Sequence, residues 1–462
     1  MSIRDSIGHT EGVAGLAGLI KLVLALQHER IPGDLHFNTP NSHIPWKDMP
    51  LVVADKPFDW PKWAERKIGG VSSFGFSGTN VHMLVEQAPA VEDEHPEIER
   101  PLHLLTLSAR REEGLEELAE RFAERLEDDS NESIADICHT ANAGRNHFEY
   151  RAAVSGATRQ DLATCLRELA RDEQGSAARG DKVQPHVPQN VAFVFAGEGA
   201  QYVGMGRDLF DTQRAFRKIL LDCDRLLQDQ LQPSLLSVLY PEKGKDPRAL
   251  LDEPRYAQPA TFAFAWGLVE MWESFGVTPA AVMGLGSGEI AAACAAGIIE
   301  FEQGLMLAAE RGRQFEECDQ PGAMVAVGAG EDRVRELIAD IVDAAVASVT
   351  ALDGLVISGA PNAIRVAAEK LAEKGIETHT LASSLPLQTS RMESVARSVA
   401  EAAKAVAHGV AHVDFISTST GKLAAGKDAP TPSYWGEQVT GVSRFHDATR
   451  ALRSHGCRAC VE

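Results

Sequence analysis

One short segment constrains this chain more than any other. Residues 281–293 read Ala-Val-Met-Gly-Leu-Gly-Ser-Gly-Glu-Ile-Ala-Ala-Ala. An apolar run ends in a glycine-rich turn and continues into an alanine-rich run, which predicts a strand, a sharp turn and a helix. This layout is typical of a nucleophile elbow, where a serine stands at the apex and glycines flank it because a side chain would block the backbone. Gly284 and Gly288 hold the flanking positions, but the apex position is Gly286, which has no nucleophile.

The nearest hydroxyl belongs to Ser287, one position after the apex. At the start of a helix, one position is a rotation of about 100° around the axis, so Ser287 points away from the direction of an apex serine. It remains a candidate nucleophile only if the turn shifts by one residue and a new base is supplied. Taken alone, the segment also fits the glycine-rich turn of an ordinary α/β domain.

Composition narrows the class of protein. The chain has 462 residues, 44% of them hydrophobic, which is enough for about three domains. A net charge of −21 argues against nucleic acid as a partner. The sequence shows no run of about 18 apolar residues and no secretory signal pattern, so we expect a cytoplasmic protein without a membrane partner. Cys457 and Cys460 form a CxxC without a second pair, so no metal site is predicted.

The first 90 residues carry a histidine ahead of an apolar helix pattern. Ile7-Gly8-His9-Thr10-Glu11 leads into a predicted helix at Gly12–Gln27, and residues 70–82 form a glycine-punctuated turn before an apolar strand. Together with residues 35–41, these stretches closely resemble the C-terminal part of a ketosynthase domain from a modular type I polyketide synthase. The resemblance implies that residues 1–90 are an incomplete, thiolase-type ketosynthase remnant.

The resemblance gives His9 the role of the second active-site histidine, which donates a hydrogen bond to a thioester or enolate oxygen. Arg4 and Ser6 stand where the family has a lysine and an asparagine. No stretch resembles the family's cysteine motif, so we do not expect condensation from this chain alone. Two further expectations follow, namely dimerisation through the missing ketosynthase part and an under-packed, apolar surface on the predicted helix.

Residues 91–185 are predicted to be a small α/β domain that follows a charged linker at 91–100. Strands are predicted at Leu102–Leu107 and Tyr150–Val154, and helices at Arg111–Leu126, Ile134–Ala143 and Asp161–Arg171. This unit resembles the linker domain between ketosynthase and acyltransferase in the same synthases, which implies a structural spacer.

Residues 186–462 are predicted to form the largest domain. A buried strand at Asn190–Phe195 and a long helix at Thr261–Phe275 precede the elbow. Residues 322–383 follow the order strand, helix, strand, strand, helix, strand, which predicts an inserted ferredoxin-like subdomain. The whole order closely resembles the malonyl-type acyltransferase domain of these synthases, with an α/β-hydrolase-like large subdomain. In that family a serine attacks an acyl-CoA thioester, a histidine acts as the base, and the acyl group passes to the phosphopantetheine thiol of a carrier protein, without a bound cofactor.

The resemblance assigns substrate-binding roles residue by residue. Arg311 falls on the arginine that pairs with the free carboxylate of malonyl or methylmalonyl groups. Gln258 and Gln201 fall on glutamines of the site. Glu198 replaces a glutamine near the oxyanion hole, where a carboxylate opposes the developing charge although its backbone N–H can still donate.

The base position is also changed. The family pattern near residue 388 contains two histidines, whereas this chain has Leu385 and Gln388 at those positions. Gln388 stands at the base position, and an amide does not accept a proton at neutral pH. His379 is predicted to be a surface residue on a strand of the small subdomain. Loss of either the nucleophile or the base costs several orders of magnitude in such enzymes.

The sequence therefore predicts a segment of a modular type I polyketide synthase with a degenerate, inactive acyltransferase and a structural role. Its extender units would come from a separate acyltransferase acting in trans, or the module would be silent. Its partners would be an acyl carrier protein and the rest of the synthase. The alternatives are an active acyltransferase that uses Ser287 and a carrier-protein docking module. In either case we expect Gly286 and Gln388 to face each other, with Arg311 and Gln258 lining the same cleft.

Overall fold

The computed structural model of the chain describes residues 4–62, 64, 66–89, 100–128, 132–171, 178–180, 182–183, 190–242, 244, 247–382, 385–426 and 429–462. The chain divides into two compact units, residues 1–97 and 98–462. Nearly all of the predicted linker at 91–100, and most of the predicted boundary at 174–190, lie outside the described residues. The three predicted domain ranges therefore stay predictions.

The first unit is built around one helix and a hairpin. Its elements are α1 Arg4–Ile7, α2 Ala14–Gln27, β1 Arg30–Ile31, β2 Phe58–Asp59, β3 Ile68–Phe74 and β4 Asn80–Glu86. Both strand pairs, β1 with β2 and β3 with β4, are antiparallel. Helix α2 packs closely on β3, since a Cβ built on Gly69 would lie 2.3 Å from Cδ1 of Leu22.

The opposite face of α2 is apolar and exposed. Leu22, Ala25 and Leu26 are the buried residues of this helix, whereas Leu16 and Ile20 each keep 59% of their surface accessible. Large apolar side chains are rarely left open over a whole helix face, because burial of each one stabilises a fold by about 1.5–3 kcal/mol. This agrees with the apolar exposure that the sequence predicts for residues 1–90.

The second unit begins with the small α/β domain predicted for residues 91–185. Its elements are β5 His103–Ala109, α3 Glu112–Glu127, α4 Ile134–Ala143, β6 Tyr150–Gly156, α5 Arg159–Ala170 and β7 Ala178–Arg179. The strands form an antiparallel sheet in the order β5-β6-β7, and the helices cover it with a hydrophobic core of their own. Thr158 and Asp161 form a capping box that fixes the start of α5.

A five-stranded sheet forms the centre of the large subdomain. Its strands are β8 Asn190–Phe195, β9 Ala281–Gly284, β14 Asp414–Ser417, β15 Lys422–Leu423 and β16 Cys457–Val461, in the order β15-β14-β9-β8-β16. All neighbours except β14 and β15 are parallel. Every residue of β9 is buried, as expected for a parallel strand covered by helices on both faces.

Ten helices among the described residues surround this sheet. They are α6 Arg207–Thr212, α7 Arg214–Leu226, α8 Leu235–Leu239, α9 Arg248–Leu251, α10 Pro254–Ser274, α11 Gly288–Ala295, α12 Phe301–Glu316, α15 Glu393–Ala403, α16 Pro432–Thr440 and α17 Phe445–Ser454. Helix α10 begins earlier than the predicted Thr261 because Pro254 occupies its first position, where a missing N–H costs nothing.

The predicted ferredoxin-like insertion is present. Its elements are β10 Ala323–Val327, α13 Glu331–Ile338, β11 Ala344–Ala351, β12 Gly354–Gly359, α14 Pro361–Glu373 and β13 Thr378–Leu381. The four strands are antiparallel in the order β11-β12-β10-β13, and they enclose a separate hydrophobic core. Two backbone hydrogen bonds, Val349 N–H to Ser443 O and Ser443 N–H to Ala347 O, fasten β11 to the large subdomain.

Sequence patterns missed two features near the end of the chain. The sequence pattern predicts that Tyr434 and Trp435 precede a final helix, whereas both lie inside α16, where Trp435 is fully buried. The segment with the CxxC forms strand β16, which adds to the parallel sheet beside β8. Its short length and its two charged or small residues between the cysteines hide the strand pattern from a search for alternation.

Candidate functional site

The elbow has the geometry that its sequence predicts. Strand β9 ends at Gly284 and α11 begins at Gly288. A Cβ on Gly288 would lie 2.4 Å from the carbonyl oxygen of Phe195, and one on Gly284 would lie 2.2 Å from the carbonyl carbon of Gly288. These contacts are with backbone atoms, so they leave no room for a side chain. Both flanking glycines are therefore required by packing.

The apex residue is held in an unusual conformation. Gly286 has a φ of +56°, in the left-handed region, and a Cβ built on it meets no atom within 4 Å. A side chain at this position would therefore project into open space. This is the place and direction in which a nucleophile elbow presents its reactive group, and glycine supplies none.

Ser287 lies on the inner side of the turn. Only 4% of its surface is exposed, and its Oγ accepts a hydrogen bond from the backbone N–H of Glu198 at 3.2 Å. Among the described residues, no basic side chain is hydrogen-bonded to this hydroxyl. The contact has a second effect, since it occupies an N–H beside the elbow that would otherwise be available to an oxyanion.

Below the elbow, one carboxyl group is fully buried. Glu289 accepts four hydrogen bonds, two from the backbone and side chain of Thr418, one from the Tyr434 hydroxyl at 2.8 Å and one from the Gln438 amide at 2.6 Å. Burial raises the pKa of the Glu289 carboxyl, and the four donors oppose this by favouring its ionised form. Gln438 also donates to the carbonyl oxygen of Gly286 at 2.6 Å, so the network holds the apex itself.

Sequence reasoning did not identify this network. Its signal is a glutamate in the otherwise apolar run that forms α11, because a charged residue in a buried helix requires polar partners. The partners lie about 130 to 150 positions further along the chain, at residues 418, 434 and 438. Nothing in their local sequence points to them.

The predicted base position is connected to the elbow through α16. The backbone N–H of Gln388 donates to Val439 O at 3.1 Å, next to the Gln438 that bonds the Gly286 carbonyl. Gln388 is half-buried and has a φ of +51°, a strained value for a residue with a side chain. Leu385 is half-buried against the main core.

His379 lies away from the elbow. It is exposed on β13, where its Nε2 lies 3.2 Å from Glu377 Oε1, which confirms that it is a surface residue.

A second hydrogen-bonded network, formed by Arg311, Gln258 and Glu198, lies beside the elbow. Arg311 Nη1 donates to Gln258 Oε1 at 2.8 Å, and Gln258 Nε2 donates to Glu198 Oε2 at 2.9 Å. Both Gln258 and Arg311 are buried, with 0% and 4% of their surface exposed. Arg311 is thus not a surface arginine. Because the Glu198 N–H also donates to Ser287, this network connects the predicted substrate-binding residues directly to the turn.

The charges of Arg311 and Glu198 in this network are only partly compensated. Burial lowers the pKa of Arg311 to about 10, so the guanidinium is still a cation at neutral pH. It stacks over the Phe315 ring at 4.3 Å, and its Nε has no hydrogen-bond partner among the described residues. Burial raises the pKa of the Glu198 carboxyl, while Arg311 and the Gln258 amide act in the opposite direction.

Two further predicted site residues, Gln201 and His9, are not part of the network of Arg311, Gln258 and Glu198. Gln201 Oε1 accepts from the Gly199 N–H at 2.8 Å, within the turn that follows β8. His9 is exposed in the first unit, where its Nδ1 accepts from the Glu11 N–H at 3.3 Å. Among the described residues, no cluster of three acidic, histidine or cysteine side chains could hold a metal ion. The described part of the chain also has no helix long and apolar enough to cross a bilayer.

Comparison with known families agrees with this architecture. A family model described as "Acyl transferase domain" matches residues 192–462, more than half of the chain. The chain therefore belongs to the acyl transferase domain family. Models described as "CurL-like, PKS C-terminal" and "Beta-ketoacyl synthase, C-terminal domain" match residues 103–166 and 1–38.

Curated relatives place these regions in one kind of protein. Mycoketide-CoA synthase of Mycobacterium tuberculosis is 37% identical over 460 residues, which are 98% of this chain and 11% of the relative. Erythronolide synthase EryA3 of Saccharopolyspora erythraea is 34% identical over 100% of this chain and 14% of its own length. The chain is thus a ketosynthase C-terminal part, a linker and an acyltransferase domain of a modular type I polyketide synthase, and it spans a small part of such relatives.

Solved structures support the fold. The acyltransferase domain from module 8 of the salinomycin polyketide synthase is 30% identical with a TM-score of 0.71, covering 78% of this chain and 85% of that one. The acyltransferase domain of SpnD in complex with 2-(pent-4-yn-1-yl)malonyl is 25% identical with a TM-score of 0.69, covering 78% and 83%. Malonyl-CoA:acyl carrier protein transacylase from Xanthomonas oryzae is 25% identical with a TM-score of 0.55, covering 60% and 88%.

Proposed function

We propose that the acyltransferase domain of this chain forms no acyl-enzyme and has a structural or docking role within a polyketide synthase module. The observation that carries this proposal is the apex of the elbow. Gly286 has the left-handed backbone and the open space of a nucleophile position, and it has no side chain to react. A covalent mechanism that begins at this position has no starting atom.

The surroundings of the apex support the same proposal. A serine hydroxyl needs a base within hydrogen-bond reach before it attacks a thioester. Gln388, at the predicted base position, carries a neutral amide, and loss of a base typically costs about 10²–10⁴-fold in rate. The Glu198 N–H, a candidate oxyanion donor, is already bonded to Ser287.

The similar proteins support a proposal about partners. A malonyl-CoA:acyl carrier protein transacylase is named among the structural matches, so the ancestral substrates would be an acyl-CoA and the phosphopantetheine thiol of a carrier protein. We infer that this chain retains contact with a carrier protein and with the rest of the synthase, as expected for a segment of a synthase module. Extender units for such a module would be supplied by a separate acyltransferase acting in trans.

The second candidate function is an active acyltransferase that uses Ser287. It is favoured by one observation: Ser287 supplies a hydroxyl within the turn, one residue after the apex. Its Oγ is buried and accepts the Glu198 N–H instead of donating to a base. We therefore rank this function second.

Intact-protein mass spectrometry separates the two functions. The chain is incubated with malonyl-CoA and methylmalonyl-CoA, and we expect no covalent adduct. An adduct that maps to Ser287 and is lost in Ser287→Ala would overturn the proposal and establish the second function. Binding of a carrier protein, measured by calorimetry on the same preparation, then distinguishes a docking role from a purely structural one.

A further inference from the structure

The carboxyl group of Glu198 lies beside the elbow and is linked to a buried arginine. Glu198 is half-buried on the loop after β8, and its carboxyl accepts from Gln258 Nε2. The other end of the same amide accepts from Arg311. One glutamine side chain therefore separates a carboxyl group from a buried guanidinium, with its dipole oriented favourably toward both.

Both ends of the Gln258 amide are occupied by hydrogen bonds to charged groups. The Gln258 carbonyl faces the cation and its NH₂ group faces the carboxylate, so the amide transmits the attraction between the two charges. A buried cation without a counter-ion is costly, and no acidic side chain among the described residues forms a direct ion pair with Arg311. Glu198 is the acid that is connected to Arg311 through the Gln258 amide.

We propose that Glu198, when ionised, is a resident carboxylate that satisfies Arg311 in place of a ligand carboxylate, so that the site beside the elbow discriminates against thioesters with a free carboxylate. This inference rests on the proposed function in one respect, since it concerns thioester binding by a domain that forms no acyl-enzyme. It takes Arg311 as the group that the resemblance to acyltransferases assigns to an acyl carboxylate. It goes further by assigning Glu198 as the residue that decides between dicarboxylic and neutral acyl groups.

The physical basis is electrostatic exclusion at short range. A malonyl carboxylate that approaches Arg311 would come close to the Glu198 carboxylate, which Gln258 connects to the same guanidinium, and two like charges among buried groups repel each other strongly. It would also compete with Gln258 for the guanidinium. A neutral acyl group such as acetyl meets neither obstacle.

The experiment measures equilibrium binding rather than turnover. Malonyl-CoA and acetyl-CoA are titrated by calorimetry into the full chain and into Glu198→Gln, which keeps the shape of the side chain and removes its charge. The control Glu377→Gln removes one charge from an exposed acid on the small subdomain. The quantity compared is the ratio of the two dissociation constants.

We expect the unaltered chain and Glu377→Gln to bind malonyl-CoA no more tightly than acetyl-CoA. In Glu198→Gln the ratio should shift toward malonyl-CoA by about tenfold or more, the size of a charge-assisted hydrogen bond. The added change Arg311→Gln should abolish that shift. If Glu198→Gln does not fold, Glu198→Asp withdraws the carboxylate and should shift the ratio in the same direction by less.

Three results would overturn the inference. They are a tenfold preference for malonyl-CoA in the unaltered chain, an unchanged ratio in the folded Glu198 variants, and binding of neither thioester to any variant. All three leave the proposed function standing, because none involves an acyl-enzyme. Conversely, a covalent adduct in the mass-spectrometry experiment refutes the proposed function without changing the binding ratio.

Discussion

Two carboxyl groups lie close to the elbow, and their surroundings differ. Glu289 is completely buried and accepts four hydrogen bonds from three residues. Glu198 is half-buried and accepts one side-chain hydrogen bond, from Gln258. The first carboxyl stabilises the turn through Gln438, which also donates to the Gly286 carbonyl, whereas the second is connected through Gln258 to Arg311.

The same division applies to the glycines. Gly284 and Gly288 are enclosed by backbone atoms, and Gly286 faces open space. Backbone packing thus specifies Gly284 and Gly288, and a hydrogen bond from Gln438 holds the Gly286 carbonyl, while the Cβ direction of Gly286 stays open. Stability and chemistry are therefore separable in this turn, and the following predictions test that separation in order of decreasing effect.

The largest effect is expected from restoring the reactive groups. The double variant Gly286→Ser with Gln388→His supplies a nucleophile and a base at two positions whose backbones are each hydrogen-bonded to α16. We expect covalent acylation by acetyl-CoA or malonyl-CoA to rise by at least about 10²-fold over Gly286→Ser alone, the contribution of a general base. Intact-protein mass spectrometry measures the adduct.

Adding Glu198→Gln to this double variant should favour malonyl-CoA, and Arg311→Ala should then remove that preference. A double variant that folds and stays unreactive with both thioesters would show that the site lacks more than these two groups.

The second prediction concerns the hydrogen bonds that Glu289 accepts. Glu289→Ala leaves the donors on Thr418, Tyr434 and Gln438 without their acceptor, and we expect a loss of about 3–5 kcal/mol in the free energy of unfolding. Denaturant unfolding of the acyltransferase domain measures it. The control Glu377→Ala changes an exposed side chain and should stay within about 0.5 kcal/mol. Equal effects for the two variants would contradict the role of the network.

A third prediction compares two alanine substitutions within the elbow. In Gly288→Ala the new methyl group overlaps the Phe195 carbonyl oxygen, which we expect to cost about 2–3 kcal/mol. In Gly286→Ala the methyl group meets no atom, and the cost is the strain of a φ near +56°, about 1 kcal/mol. The same unfolding measurement applies to both. A larger loss at position 286 would mean that the apex is not open.

The smallest effect is a pH dependence. Burial raises the pKa of Glu198 above the 4.5 of an ordinary glutamate. Between pH 4.5 and the raised pKa of Glu198, the folded chain holds a proton that the unfolded chain has released. The free energy of unfolding therefore falls as pH rises through this window. One proton limits the slope to about 1.4 kcal/mol per pH unit.

Glu198→Gln removes this contribution, while Glu289 contributes with the same sign in both proteins. We therefore expect the variant to have the flatter profile when unfolding is measured from about pH 5 to about pH 8. Parallel profiles would show that the Glu198 carboxyl does not titrate in this range.

Much of the fold was predictable because its signals are local. The apolar run before Gly284 and the alanine-rich run after Gly288 specify a strand and a helix within a dozen residues. The order of strands and helices from residue 323 to residue 381 likewise predicts the ferredoxin-like insertion. Strand β16 was missed because its residues become a strand only by pairing with β8, which lies more than 260 positions earlier.

For the candidate site, the sequence by itself determined which reactive groups are available. Gly286 has no side chain and Gln388 has no basic nitrogen, whatever the fold around them. The tertiary structure decided how the remaining groups are used. It turns Ser287 inward onto the Glu198 N–H, and it connects Glu198 through Gln258 to a buried Arg311. The reason is physical, since residue identity limits chemistry locally, whereas burial and partners arise only when distant segments pack together.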